Sequence, residues 1–156
     1  MISKLTHLFV TLVLFGCMAS CSQGEAYYQF RPIPQYEWSK SQEVSFLLDS
    51  AAINPQHNYA LSIEITHNIS YRYKNLFLYL DHTLQDSIPV RDTIECVLVD
   101  DVGKWYGSGN GATRQFSLLY KTNQKIDTTV HNEINIRHAM QDLKLKGIEK
   151  VGLKIY

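Results

Sequence analysis

The sequence predicts an all-β fold: an antiparallel β-sandwich, jelly-roll-like, with one short helix before its last strand. Three observations point there. Beyond residue 43, apolar side chains recur at every second position rather than in the 3.6-residue rhythm of a helix. Turn-forming residues interrupt these runs at short intervals, which suits hairpin connections rather than helical crossovers. With 156 residues, 45% of them apolar and 12% aromatic, the chain can fill one core and little more.

The runs are justified in chain order. Val44-Ser45-Phe46-Leu47-Leu48 opens the series. Tyr59, Leu61, Ile63 and Ile65 alternate with Ala60, Ser62, Glu64 and Thr66, which predicts a strand with one buried and one wet face. Leu76, Leu78 and Leu80 alternate with Phe77 and Tyr79, so both faces are apolar and the strand is expected to be central and covered on both sides. Ile94, Cys96 and Leu98 share one face, with Thr93, Glu95 and Val97 opposite. Phe116, Leu118 and Tyr120 continue the pattern, followed by Val130, Ile134 and Ile136 and then by Val151, Leu153 and Ile155. About seven strands result. Turns are expected at Asn54-Pro55, Asp81-His82, Asp86 to Pro89, Asp100 to Gly103 and Asn123-Gln124. Ala139 to Lys144 reads as the short helix, broken by Gly147. No internal repeat or low-complexity linker divides residues 27–156, which form one expected domain.

The first twenty residues read as an export signal. Lys4 precedes a short apolar run, Leu8 to Phe15, well below the roughly 18 residues a membrane-spanning helix needs. Met18-Ala19-Ser20-Cys21 then places small residues before a cysteine, in the manner of a bacterial lipobox. Cys21 is the expected lipidation site, with residues 21–26 as a short tether to the membrane. Leu14-Phe15-Gly16-Cys17 is a competing register, disfavoured by the bulk of Phe15 where a small residue is usual. An exported protein without lipid is the plainer alternative. One acyl chain holds weakly, whereas two or three hold essentially permanently, at about 0.8 kcal/mol per buried methylene.

Fifteen basic residues balance fifteen acidic ones, and removing residues 1–20 takes away Lys4 alone. The remaining net charge of −1 offers no field for nucleic acid. The loop Gly103-Lys104-Trp105-Tyr106-Gly107-Ser108-Gly109 is glycine-rich but leads from strand to strand. No helix N-terminus is available for phosphate, and the lysine precedes the glycines instead of closing them. Its plain reading is a wide turn whose Trp105 caps the end of the core; the alternative is an aromatic platform for a sugar or peptide. His57, His67, His82, His131 and His138 show no metal-binding spacing, so no metal or other cofactor is expected. His57 and His82 are expected to supply loop polarity, and His138 strand-end packing. Cys96 on an inward face reads as an inert buried thiol. No nucleophile elbow or carboxylate dyad singles out a catalytic residue, so no enzymatic role is expected. Ten tyrosines suit pleated surfaces and recognition faces alike.

These segments together resemble the gliding-motility lipoprotein GldH family. The likeness is carried by Cys21, by Tyr71-Arg72-Tyr73-Lys74-Asn75-Leu76-Phe77-Leu78-Tyr79, by the Gly103 to Gly109 loop, and by Ile136 to Met140 followed by Leu145 to Leu153. Gln141 stands where that family tends to have arginine, and Ala112-Thr113 replaces a more polar stretch. The resemblance implies a membrane-anchored cell-envelope lipoprotein, without known enzymatic activity or cofactor. Its implied partners are other envelope proteins of a motility or secretion apparatus. A glycan-binding module using Trp105 and Tyr106 is the alternative, and exposure of Trp105 discriminates the two.

Overall fold

The computed structural model describes residues 24–156, so the expected export signal, Cys17 and the expected lipidation site Cys21 lie outside the described residues. Ten strands are formed: β1 (Tyr27–Pro32), β2 (Glu37–Ser39), β3 (Val44–Leu47), β4 (Tyr59–Asn68), β5 (Asn75–His82), β6 (Val90–Val97), β7 (Thr113–Gln124), β8 (Glu133–His138), β9 (Lys144–Lys146) and β10 (Ile148–Ile155). One sheet runs β1-β10-β4-β7 and the other β3-β8-β5-β6, while β2 and β9 pair as a separate ribbon. All pairings are antiparallel.

Setting the ribbon aside, eight strands remain. The first of these pairs with the last, the second with the seventh, the third with the sixth and the fourth with the fifth. That nesting is a long hairpin rolled up on itself, the jelly roll expected from the sequence. It also sorts the connections. The chain enters at Tyr27, which pairs with Ile155, so residues 24–26 and the C-terminal Tyr156 share one pole with the connections 48–58, 83–89 and 125–132. Connections 33–43, 69–74, 98–112 and 139–147 meet at the opposite pole. The ten residues of β4 span the distance between the poles, roughly 30 Å at strand rise.

Alternate side chains from both sheets fill one core: Leu61, Ile63 and Ile65 of β4, Val151, Leu153 and Ile155 of β10, Leu76, Leu78 and Leu80 of β5, and Ile134 and Ile136 of β8. Cys96 is buried among them, and burial pushes its thiol up to about 12, so it stays protonated and unreactive. The sheet edges meet along two seams. Tyr27 packs edge-on against Phe46, joining β1 to β3. Asp92 of β6 accepts hydrogen bonds from the Tyr120 hydroxyl and from the Lys121 ammonium of β7, the latter at 2.9 Å, joining the other two edges.

Several expectations need correction. Three strands were not signalled: β1, whose sequence carries Arg31 and Pro32, and the three-residue β2 and β9. The helix expected over 139–144 is absent. Ala139 N donates to Phe77 O at 2.7 Å, Lys40 N donates to Leu143 O at 2.9 Å, and Lys144 already pairs with Ser39 in the β2–β9 ribbon, so the segment is held extended between β5 and β2 instead of coiling on itself. Asp81 and His82 are not a turn but the end of β5, paired with Arg91 and Val90, and His82 is buried rather than a loop residue.

The two long strands exchange their expected environments. Ser62, Glu64 and Thr66 on the supposedly wet face of β4 are buried. Glu64 accepts from Ser117 Oγ at 2.6 Å and Gln115 Nε2 at 3.2 Å, and the Phe30 ring lies over Gly152 beside it. Conversely, Phe77 and Tyr79 of β5 are over a third exposed, because no strand among the described residues lies over that face of the second sheet and only the Arg91 guanidinium stands over Tyr79. β5 is nonetheless central, between β8 and β6, as expected.

Candidate functional site

The pole opposite the chain entry gathers most of what the sequence singled out. Asp100 opens the glycine-rich connection: its Oδ1 accepts from Val102 N at 3.0 Å and from Lys104 N at 2.8 Å, closing a tight turn. Trp105 then bridges back to Val99, and Ser108 bridges Gln115 with paired backbone bonds of 2.9 and 2.7 Å. Gly107 holds a left-handed φ of 87°, and a Cβ there would fall on the Gln115 carbonyl. The loop is therefore two small hairpins pressed on β7, not an open cradle. Gly103 sits in the first turn, while Gly109 lies against the backbone of Thr113 and Arg114.

Trp105 is half-buried against the core, its ring 4.7 Å from that of His67. Tyr106, the next residue, is 46% exposed. The indole thus closes the end of the sandwich, leaving one open ring rather than two, and Lys104 is exposed beside the turn. His67 is fully enclosed, and neither ring nitrogen has a hydrogen-bond partner. Burial pulls its pKa below the ordinary 6.5, the Asn68 backbone opposes this, and the nearby Arg114 cation adds a smaller push down, so it is neutral at physiological pH. A small cavity of about 30 Å³ beside the two rings is lined by His67, Trp105, Ala112 and Arg114.

Behind this loop lies a side-chain cluster that the sequence did not signal. Arg72 Nη2 reaches both carboxylate oxygens of Asp142, at 3.2 and 3.1 Å, and donates to the Tyr73 hydroxyl at 2.9 Å. The Tyr73 hydroxyl donates in turn to Asp142 Oδ1 at 2.9 Å. Tyr71 is buried beneath, donating its hydroxyl to Asn75 O at 2.6 Å. Burial, with no cation to offset it, holds that phenol well above its ordinary pKa, so it is a structural strut. A cleft of about 170 Å³ opens between this cluster and β9, lined by Ser70, Arg72, Tyr73, Asp142 and Lys144 to Lys146. The alternation Lys144-Leu145-Lys146 was the available signal. Over three residues it is too short to separate from a helix end.

Among the described residues no three His, Cys, Asp or Glu side chains are grouped to share a metal ion. The most exposed apolar side chains cluster at this pole too: Ile69, Val102 and Leu143 are each 77% exposed or more, with Tyr36 and Tyr106 about half exposed.

The chain's likeness to known proteins spans the whole described fold. Residues 25–155 match the family model described as GldH lipoprotein. A "Gliding motility lipoprotein GldH homolog" of Christiangramia forsetii is 33% identical over 152 residues, covering 93% of this chain and 90% of the relative. The "Gliding motility lipoprotein GldH" of Flavobacterium johnsoniae is 23% identical over 155 residues, covering 95% and 92% respectively.

Proposed function

The chain belongs to the GldH lipoprotein family, and from that premise we propose that it is lipidated at Cys21 and works without catalysis as a docking component of an envelope motility or secretion apparatus. The supporting observation is the polarity of the jelly roll. Chain entry lies at one pole, and a six-residue tether from Cys21 extends no further than roughly 20 Å. The opposite pole, roughly 30 Å further out, carries the four connections with the exposed apolar tips and the charged cleft. A body held this way keeps its loops clear of the membrane and within reach of neighbours.

Deleting the gene in its own host is expected to abolish surface spreading or impair protein secretion. Cys21→Ser is expected to release the protein from the membrane fraction with the same phenotype. Normal spreading and normal secretion in the deletion strain would refute the role. The glycan reading has less support, because a flat sugar platform wants adjacent open rings and Trp105 is turned onto His67. Loss of glycan-array signal in Tyr106→Ala, with the fold intact, would revive it.

A further inference from the structure

Building on that docking role, we propose that the free edge of β9 is a strand-addition site for an extended acidic segment of a partner protein. The hydrogen-bond phase of the β2–β9 ribbon sets this up. Gly147 N donates to Tyr36 O at 2.8 Å, and Lys40 N donates to Leu143 O at 2.9 Å. Bonded and non-bonded pairs alternate in an antiparallel ladder, so Trp38 and Leu145, midway between, are the next bonded pair. Lys144 and Lys146 therefore aim their N–H and C=O groups away from β2, along the side where the 170 Å³ cleft opens.

The cleft has two walls. One is this edge; the other is the non-strand segment Ser70 to Tyr73. The walls converge at Gly147, whose backbone lies so close to Ser70 and Tyr71 that a Cβ would overlap them. At the other end the Arg72 and Tyr73 side chains bridge the gap to Asp142, and an incoming strand displaces these exposed side-chain bonds with its own carboxylates and backbone. A two-stranded ribbon is marginal by itself and gains most from a third strand.

Charge selects the occupant. Arg72, Lys144 and Lys146 are 70%, 72% and 72% exposed, and their carboxylate partners are Asp142 and Glu37, leaving one positive charge in excess. The mature chain as a whole is instead slightly acidic. Leu143 and Ile69, both 77% exposed, precede the two walls in the chain and offer apolar shoulders. An extended segment alternating acidic and apolar side chains would pair its backbone with β9. Its carboxylates would then face the three cations, and its apolar groups the two shoulders.

The test is binding of a capped, fluorescein-labelled peptide of alternating glutamate and valine to the full-length lipoprotein in detergent micelles, read by anisotropy. Saturable binding is expected, weakening about tenfold between about 50 and about 300 mM salt. Reversing charge with Lys144→Glu and Lys146→Glu, at exposed positions that leave the far-UV spectrum unchanged, should weaken it by at least about tenfold. N-methylation of the peptide nitrogens that would face β9 should do the same. Absence of saturable binding, or equal binding of the N-methylated peptide, overturns strand addition. So does complete competition by inorganic phosphate, which would make the cleft an anion site. A concentration-dependent dimer lost in the double variant would reassign the edge to a second copy of the chain and overturn it too. In the host, a double variant that spreads normally beside a non-spreading deletion strain defeats the cleft alone. A deletion strain that itself spreads and secretes normally defeats the docking role.

Discussion

Three enclosed histidines make the stability of this protein depend on pH in a predictable direction. His67, His82 and His138 are 1%, 7% and 1% exposed. Burial is the leading cause lowering each pKa below the ordinary 6.5. The Asn68 and Trp38 backbones oppose this at His67 and His138, as do Glu149, Asp92 with Asp81, and Asp142, while the cations Arg114, Lys121 and Lys40 add to it. Because the folded pKa lies below the unfolded one, the unfolded chain binds protons that the folded chain refuses, and stability falls as pH drops through about 6.5. At pH 5.5 each unfolded imidazole gains about 1.4 kcal/mol, so three of them set a ceiling of about 4 kcal/mol. Asp92 beside His82 and the Trp38 carbonyl 3.1 Å from His138 Nε2 recover part of this in the folded state. A loss of about 1–3 kcal/mol between pH 7.5 and 5.5 is therefore expected, a sizeable share of the roughly 5–15 kcal/mol of a typical domain. Asp81 and Asp92 are held below the usual carboxylate range and stay ionised throughout this window, so they do not mask it. Urea unfolding followed by tryptophan fluorescence at each pH measures the loss. His67→Leu, which removes an imidazole with no hydrogen-bond partner, should cut it by about a third. Equal stability at both pH values, or the whole loss persisting in His67→Leu, would refute the reasoning.

Other consequences follow from the packing. The Tyr120 hydroxyl, above all, with Lys121 and His82, holds the Asp92 carboxyl at about 2 rather than 3.8. This contribution is present above pH 3.8 and fades as pH falls toward 2. Because a third of the side chain is exposed, Asp92→Asn should cost only about 1–2 kcal/mol at neutral pH, with the mutant's deficit shrinking below pH 3 in the same unfolding assay. Gly147 has a φ of 89° and abuts the Tyr71 backbone, so Gly147→Ala should destabilise by about 2–4 kcal/mol, read as a lowered urea midpoint with unchanged slope. Trp105→Ala should cost about 2–3 kcal/mol by uncovering His67, whereas exposed Tyr106→Ala should stay within about 0.5 kcal/mol. Equal effects of the two would show that the indole does not cap the core.

Much of the sandwich was legible because inward residues repeat with period two wherever a strand is long. That rhythm marked β4, β5, β6 and β10 and put Cys96 on the buried side. It failed on β2 and β9, which are three residues each, and on β1, where Pro32 and Arg31 break the apolar pattern. Within the candidate site the glycine-rich loop and its tryptophan were visible as a local motif. The Arg72–Tyr73–Asp142 cluster was not, since it joins residues seventy positions apart.

Local alternation, then, was enough to establish which side chains of a strand share a face, and the residue count alone gave the charge balance. The tertiary structure alone decided what lies over each face. Glu64 reads as solvent-facing until Ser117, Gln115 and Phe30 arrive from other strands, and Phe77 reads as covered until no strand arrives. Alternation is a property of one strand's pleat, whereas burial belongs to neighbours brought in from distant parts of the chain, and only the rolled hairpin fixes who those neighbours are.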